Sequence, residues 1–116
     1  MKRVILLMAL ITLSNITLAS TPPADGCTNI SCTGTIQNIY IDDDSKIYVT
    51  PPEGTYSNLS CTLDSGQYFI LTETHSRFKE IYGTILAAFS AQKTVQLRVI
   101  NSSTQTCEIR YIVVYR

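Results

Sequence analysis

Tryptophan is absent, histidine occurs once, and basic residues do not outnumber acidic ones. Without tryptophan, any stacking on a ligand ring falls to the seven tyrosines. His75 is the one histidine, so a two-histidine zinc site is excluded and any catalytic triad would have to be built on His75 itself. Glu73 stands close to His75, but no nucleophile setting accompanies them, so a non-catalytic protein without a cofactor is expected. Nine Lys and Arg against nine Asp and Glu leave no basic excess to attract nucleic acid or anionic lipid. The longest apolar run, Val4 to Leu13, is about half of the roughly 20 residues that span a bilayer, so membrane insertion is not expected. Internal repeats and low-complexity tracts are also missing.

The start of the chain reads as an export signal. Lys2 and Arg3 form a basic region, Val4 to Leu13 an apolar one, and Thr17-Leu18-Ala19 a small-residue cleavage site. Cleavage after Ala19 leaves residues 20–116 as one small domain with a net charge near −2. All four cysteines, Cys27, Cys32, Cys61 and Cys107, fall in that part. An even count behind an export signal implies two disulfides rather than a metal site, and a secreted or periplasmic location. Three pairings are open; a bridge tying Cys61 to another strand and one closing onto Cys107 would pin the last strand.

Residues 20–26, with Pro22, Pro23 and Gly26, read as a stiff polar arm. Alternating or β-rich stretches at 33–41, 46–50, 67–72, 94–100 and 106–115 read as five strands. Leu59–Leu63 is a further apolar stretch ahead of the third strand. Asp42-Asp43-Asp44-Ser45 and Asp64-Ser65-Gly66 supply tight turns, and Pro51-Pro52 stops the second strand. Asn101 to Gln105 forms a polar loop between the last two strands. Between strands three and four, Phe78, Ile81, Tyr82, Ile85, Leu86 and Phe89 recur at helical spacing and predict one amphipathic helix from about Ser76 to Ala91, capped by Thr74 or Ser76. The expected fold class is therefore mainly β: a five-stranded OB-type barrel with one α-helix between strands 3 and 4. A β-sandwich would want about seven strands and no central helix.

Three features invite a functional reading. Asp42, Asp43 and Asp44 are consecutive rather than alternating, which suits a solvated hairpin turn better than a calcium loop. The tyrosines suit a half-buried sheet, and some could line a shallow site that stacks on a sugar. Asn29, Asn58 and Asn101 begin N-x-S/T patterns, as does Asn15 inside the leader.

The segment Ser76-Arg77-Phe78-Lys79-Glu80-Ile81 to Leu86, followed by Ser90 to Val99, resembles the helix and next strand of the B subunits of bacterial AB5 toxins, of the subtilase-cytotoxin and typhoid-toxin type. Cys61-Thr62-Leu63 resembles the cysteine ahead of their helix. Cys32-Thr33-Gly34-Thr35-Ile36 is similar to the first-strand start of a broader group of small exported bacterial proteins. The resemblance implies an OB-fold subunit that assembles as a homopentamer, binds host glycans, commonly sialylated, and docks a toxin A subunit. It implies Thr33, beside Gly34, as the glycan contact, because the toxin subunits carry a serine there. The competing expectation is a periplasmic or secreted interaction or inhibitor protein that ignores sugars.

Overall fold

A computed structural model of the chain describes residues 21–100 and 105–116. Met1–Ala19, read above as an export signal, and most of the Asn101–Gln105 loop lie outside the described residues. Among the described residues seven strands form: β1 (Gly26–Cys27), β2 (Ser31–Gly34), β3 (Asn38–Ile41), β4 (Lys46–Thr50), β5 (Phe69–Thr72), β6 (Val95–Val99) and β7 (Ile109–Val114). One helix, α1 (Phe78–Ser90), separates β5 from β6, and a single 3-10 turn covers Tyr56–Asn58. The strands make two antiparallel sheets, one ordered β1-β2-β6-β7 and the other β3-β4-β5.

The mainly β class with one helix holds, but the closed five-stranded barrel does not. The expected first strand, 33–41, divides at Gly34 into β2 and β3, which belong to different sheets. Gly34 sits at φ +144°, and a Cβ placed on it would come within 2.8 Å of the Pro52 Cβ. Any other residue there would be strained in its backbone and blocked by the neighbouring loop, so the chain turns its corner at this glycine. With β1 and β2 counted, the helix follows the fifth strand rather than the third. Away from the corner, two isolated parallel bridges form, Thr62 to Thr106 and Ile70 to Glu108, the second linking β5 to the approach to β7. The stretch 59–63 contributes one of these bridges instead of a strand.

Turn chemistry accounts for the hairpins. The Asp42 carboxylate accepts the Asp44 N–H at 2.8 Å, closing an Asx turn that reverses the chain between β3 and β4. Ser65 and Gly66 both have positive φ, and Gln67 N–H donates to the Asp64 carbonyl, the arrangement of a type I′ turn. The helix ends with Gln92 at φ 51° and Lys93 N–H bonded back to the Ala88 carbonyl, a Schellman closure without glycine.

The core lies between the two sheets and under α1. Val49, Phe69, Leu71, Ile85, Val95, Leu97, Val99 and Ile109 are fully buried in it. Each such side chain contributes roughly 1.5–3 kcal/mol by leaving water. On α1 the buried residues are Ile81, Ile85 and Ala88, with Phe78 and Tyr82 packed alongside. Leu86 and Phe89, expected on the same stripe, are each 39% exposed. One residue of helix turns the side chain by about 100°, so centring the face on Ile85 carries Leu86 off it and brings in the smaller Ala88. Neither Thr74 nor Ser76 caps α1. The N-cap is Arg77, whose N–H donates to His75 Nδ1 at 2.9 Å.

Cysteines pair as Cys27–Cys32 and Cys61–Cys107, and no thiol among the described residues is free. The first bridge staples β1 to β2. The second holds the seam between the sheets, where Thr62 N–H bonds the Gln105 carbonyl, Cys107 N–H the Thr62 carbonyl and Ile70 N–H the Cys107 carbonyl. Two disulfides belong to an oxidising, exported environment. Among the described residues, no helix is long and apolar enough to cross a membrane.

Candidate functional site: a tyrosine platform on the three-stranded sheet

Strand alternation divides β4 into two faces. Ile47 and Val49 enter the core, whereas Tyr48 points away from it. The β3–β4 register sets Tyr40 opposite Tyr48, and the type I′ turn delivers Tyr68 at the entry to β5. The three rings form one cluster. Tyr40 and Tyr48 are 5.5 Å apart between centroids, Tyr48 and Tyr68 5.7 Å with an edge-to-face tilt, and Tyr40 and Tyr68 6.0 Å and nearly parallel. Tyr48 is buried by its neighbours, while Tyr40 keeps 48% of its surface. Aromatic pairs at these separations add about 0.5–1.5 kcal/mol beyond their area, so the platform is preformed.

Polar groups border the rings. Thr50 Oγ1 lies 2.8 Å from Asn38 Oδ1 at one end of the face. At the other, Thr72 Oγ1 donates to Glu108 Oε1 at 2.8 Å. Tyr48 Oη donates to Asp44 Oδ2 at 3.0 Å. That bond, with lost hydration and the negative field of Asp44, Asp42 and Asp64, pushes the Tyr48 phenol up to about 12. Tyr48 is thus held neutral, its proton committed to Asp44. The carboxylate oxygens of Asp42, Asp43 and Asp44 lie within 4.8 Å of one another at the surface, and none makes an ion pair among the described residues.

The residues expected from the toxin resemblance sit elsewhere. Thr33 retains 2% of its surface and Gly34 is buried, both on β2 of the four-stranded sheet, where Thr33 sits between β1 and β6 and Gly34 pairs with β6. His75 is occupied structurally: Nδ1 accepts the Arg77 N–H, which leaves Nε2 to donate to the Arg110 carbonyl at 2.9 Å. Asn29 is exposed; Asn58 Nδ2 donates to the Cys27 carbonyl at 3.1 Å; Asn101 lies outside the described residues. The wealth of tyrosines pointed to a shallow stacking site without saying that Tyr40, Tyr48 and Tyr68 would meet. The hairpin turn itself carried the signal, because Tyr40 and Tyr48 stand at equal distances from its centre.

A second surface feature is a groove of about 640 Å³ between α1 and β7, floored by Gly83, Ala87, Ala88, Ala91 and Val114 and flanked by Lys79 and Lys93. Beyond its first residues, β7 has no strand on its outer side among the described residues.

Comparison of the chain with protein-family models, with curated proteins and with solved structures gives no match.

Proposed function

We propose that the chain, once exported, is a non-catalytic glycan-binding module whose contact face is the Tyr40–Tyr48–Tyr68 platform. The carrying observation is the open Tyr40 ring, backed by two more rings and bordered by carboxylates and hydroxyls. Sugars present a flat C–H face that stacks on an aromatic ring and hydroxyls that donate to carboxylates. The order of elements, with β5 running parallel to the approach to β7, fits an opened OB-type barrel. Such barrels bind oligosaccharides on the face of their middle strands. The leader and the two disulfides support a secreted or periplasmic location.

A single stack with a few hydrogen bonds gives an affinity on the order of 1 mM, so useful binding calls for several sites on one particle. A homopentamer of the AB5 B-subunit type, able to dock a catalytic A subunit, would provide them. Light scattering of the purified, oxidised protein followed by a glycan array tests the proposal. Binding of an oligosaccharide that Tyr40→Ala abolishes supports it; an array on which the folded protein binds nothing overturns it.

The β7 edge, unpaired among the described residues, and the exposed Leu86, Phe89, Tyr111 and Val114 favour a second reading, an interaction or inhibitor protein indifferent to sugars. Capture of a protein partner that β7 variants lose, with no glycan bound, would select that reading.

A further inference from the structure

We propose that the tyrosine platform takes a sugar bearing a free, protonated amine rather than a sialylated one. The inference rests on the glycan reading above and names the ligand class of the same face.

The argument is one of charge. The open face of Tyr40 presents the negative side of the ring quadrupole, which attracts an ammonium group within about 6 Å of its centroid. At the rim, Asp44 is anchored on the Tyr48 hydroxyl and Asp42 on the Asp44 N–H, so two carboxylates are held in place before any ligand arrives. Asp43 joins them within 4.8 Å, its carboxylate without a hydrogen bond among the described residues. Asp64, across the platform at the turn before Tyr68, adds to the same negative field at Tyr48. Against these, Lys46 is the one basic residue in β3, β4 and β5. A sialic acid carboxylate brought to this face meets like charge, and an N-acetylated sugar leaves the field unused. A glucosamine-type ammonium satisfies the ring face and the carboxylates together.

Isothermal calorimetry on the full oxidised chain, near neutral pH, compares four probes: a glucosamine trimer, its N-acetylated counterpart, sialyllactose and tetramethylammonium. The glucosamine trimer is expected to bind on the order of tenfold tighter than the acetylated trimer. Salt should erode that advantage, because the carboxylates lie at the surface. Asp43→Asn should shrink the preference and Tyr40→Ala should remove binding, with circular dichroism confirming that both variants are folded. Equal or tighter binding of the acetylated trimer or of sialyllactose overturns the amine assignment and leaves the glycan reading standing. Binding of tetramethylammonium with no sugar bound retains the ammonium site and removes the glycan reading. Silence from all four probes removes both.

Discussion

Replacing the two disulfides one at a time offers a direct measure of what holds the sheets together. Cys61–Cys107 closes a loop with a sequence separation of 46, whereas Cys27–Cys32 spans only 5. In the chain-entropy account, the first restricts the unfolded chain by about 4 kcal/mol and the second by about 2 kcal/mol. All four cysteines are buried, so the cavity left by truncation is similar in the two cases and largely cancels in their difference. The comparison is therefore Cys61→Ala with Cys107→Ala against Cys27→Ala with Cys32→Ala. Thermal and urea unfolding, followed by circular dichroism, should place the first pair about 2 kcal/mol below the second, a gap of roughly 8–16 °C in a domain of this size. Against a total of about 5–15 kcal/mol, loss of the longer bridge leaves a marginal fold. The physical reason is local as well. The seam beside Cys107 consists of a few isolated backbone hydrogen bonds rather than a ladder, so little else holds it in register. If the short-bridge variant is equally or more destabilised, the seam does not depend on the disulfide and the reasoning fails.

Three other outcomes follow from the geometry. Ile85→Ala should destabilise by about 2–5 kcal/mol because that side chain is fully enclosed. Phe89→Ala, at the rim of the helix, should cost no more than about 1 kcal/mol; chemical denaturation of both variants checks the helix rotation. In glycan binding, Tyr40→Ala should abolish detectable binding, because a loss of about tenfold from a millimolar affinity takes it out of range, whereas Thr33→Ala, buried in the other sheet, should leave affinity unchanged; a reversed pattern would move the site to β2. Tyr48 should ionise late, because its phenol is raised from 10 to about 12. Its folded pKa lies above the unfolded one, so its stabilising bond to Asp44 is fully present below pH 10 and lost as pH rises through 12. Phenolate absorbance should show this late titration, and Asp44→Asn, which replaces the charged partner, should bring it down.

Local chemistry was legible in the residue order. Asp42 to Ser45 and Asp64 to Gly66 announced their turns, Pro51-Pro52 ended β4, and the alternation within 94–100 and 106–115 marked the strands of the last hairpin, which form over Val95–Val99 and Ile109–Val114. The even cysteine count announced two bridges, and two form. These features depend on neighbours in sequence, where backbone sterics and side-chain period decide the outcome. Tertiary structure decided the rest. Gly34 looks like an ordinary strand glycine until Pro52 is seen against it, and only that contact shows why one apparent strand serves two sheets. Helix periodicity defines a stripe but not which edge of it meets the sheet, so Leu86 and Phe89 passed for core. The tyrosine platform needed the pairing of Tyr40 with Tyr48 and the arrival of Tyr68 from a separate turn. Ring proximity is a property of register between strands, and register emerges only when the whole hydrophobic interior has chosen its packing.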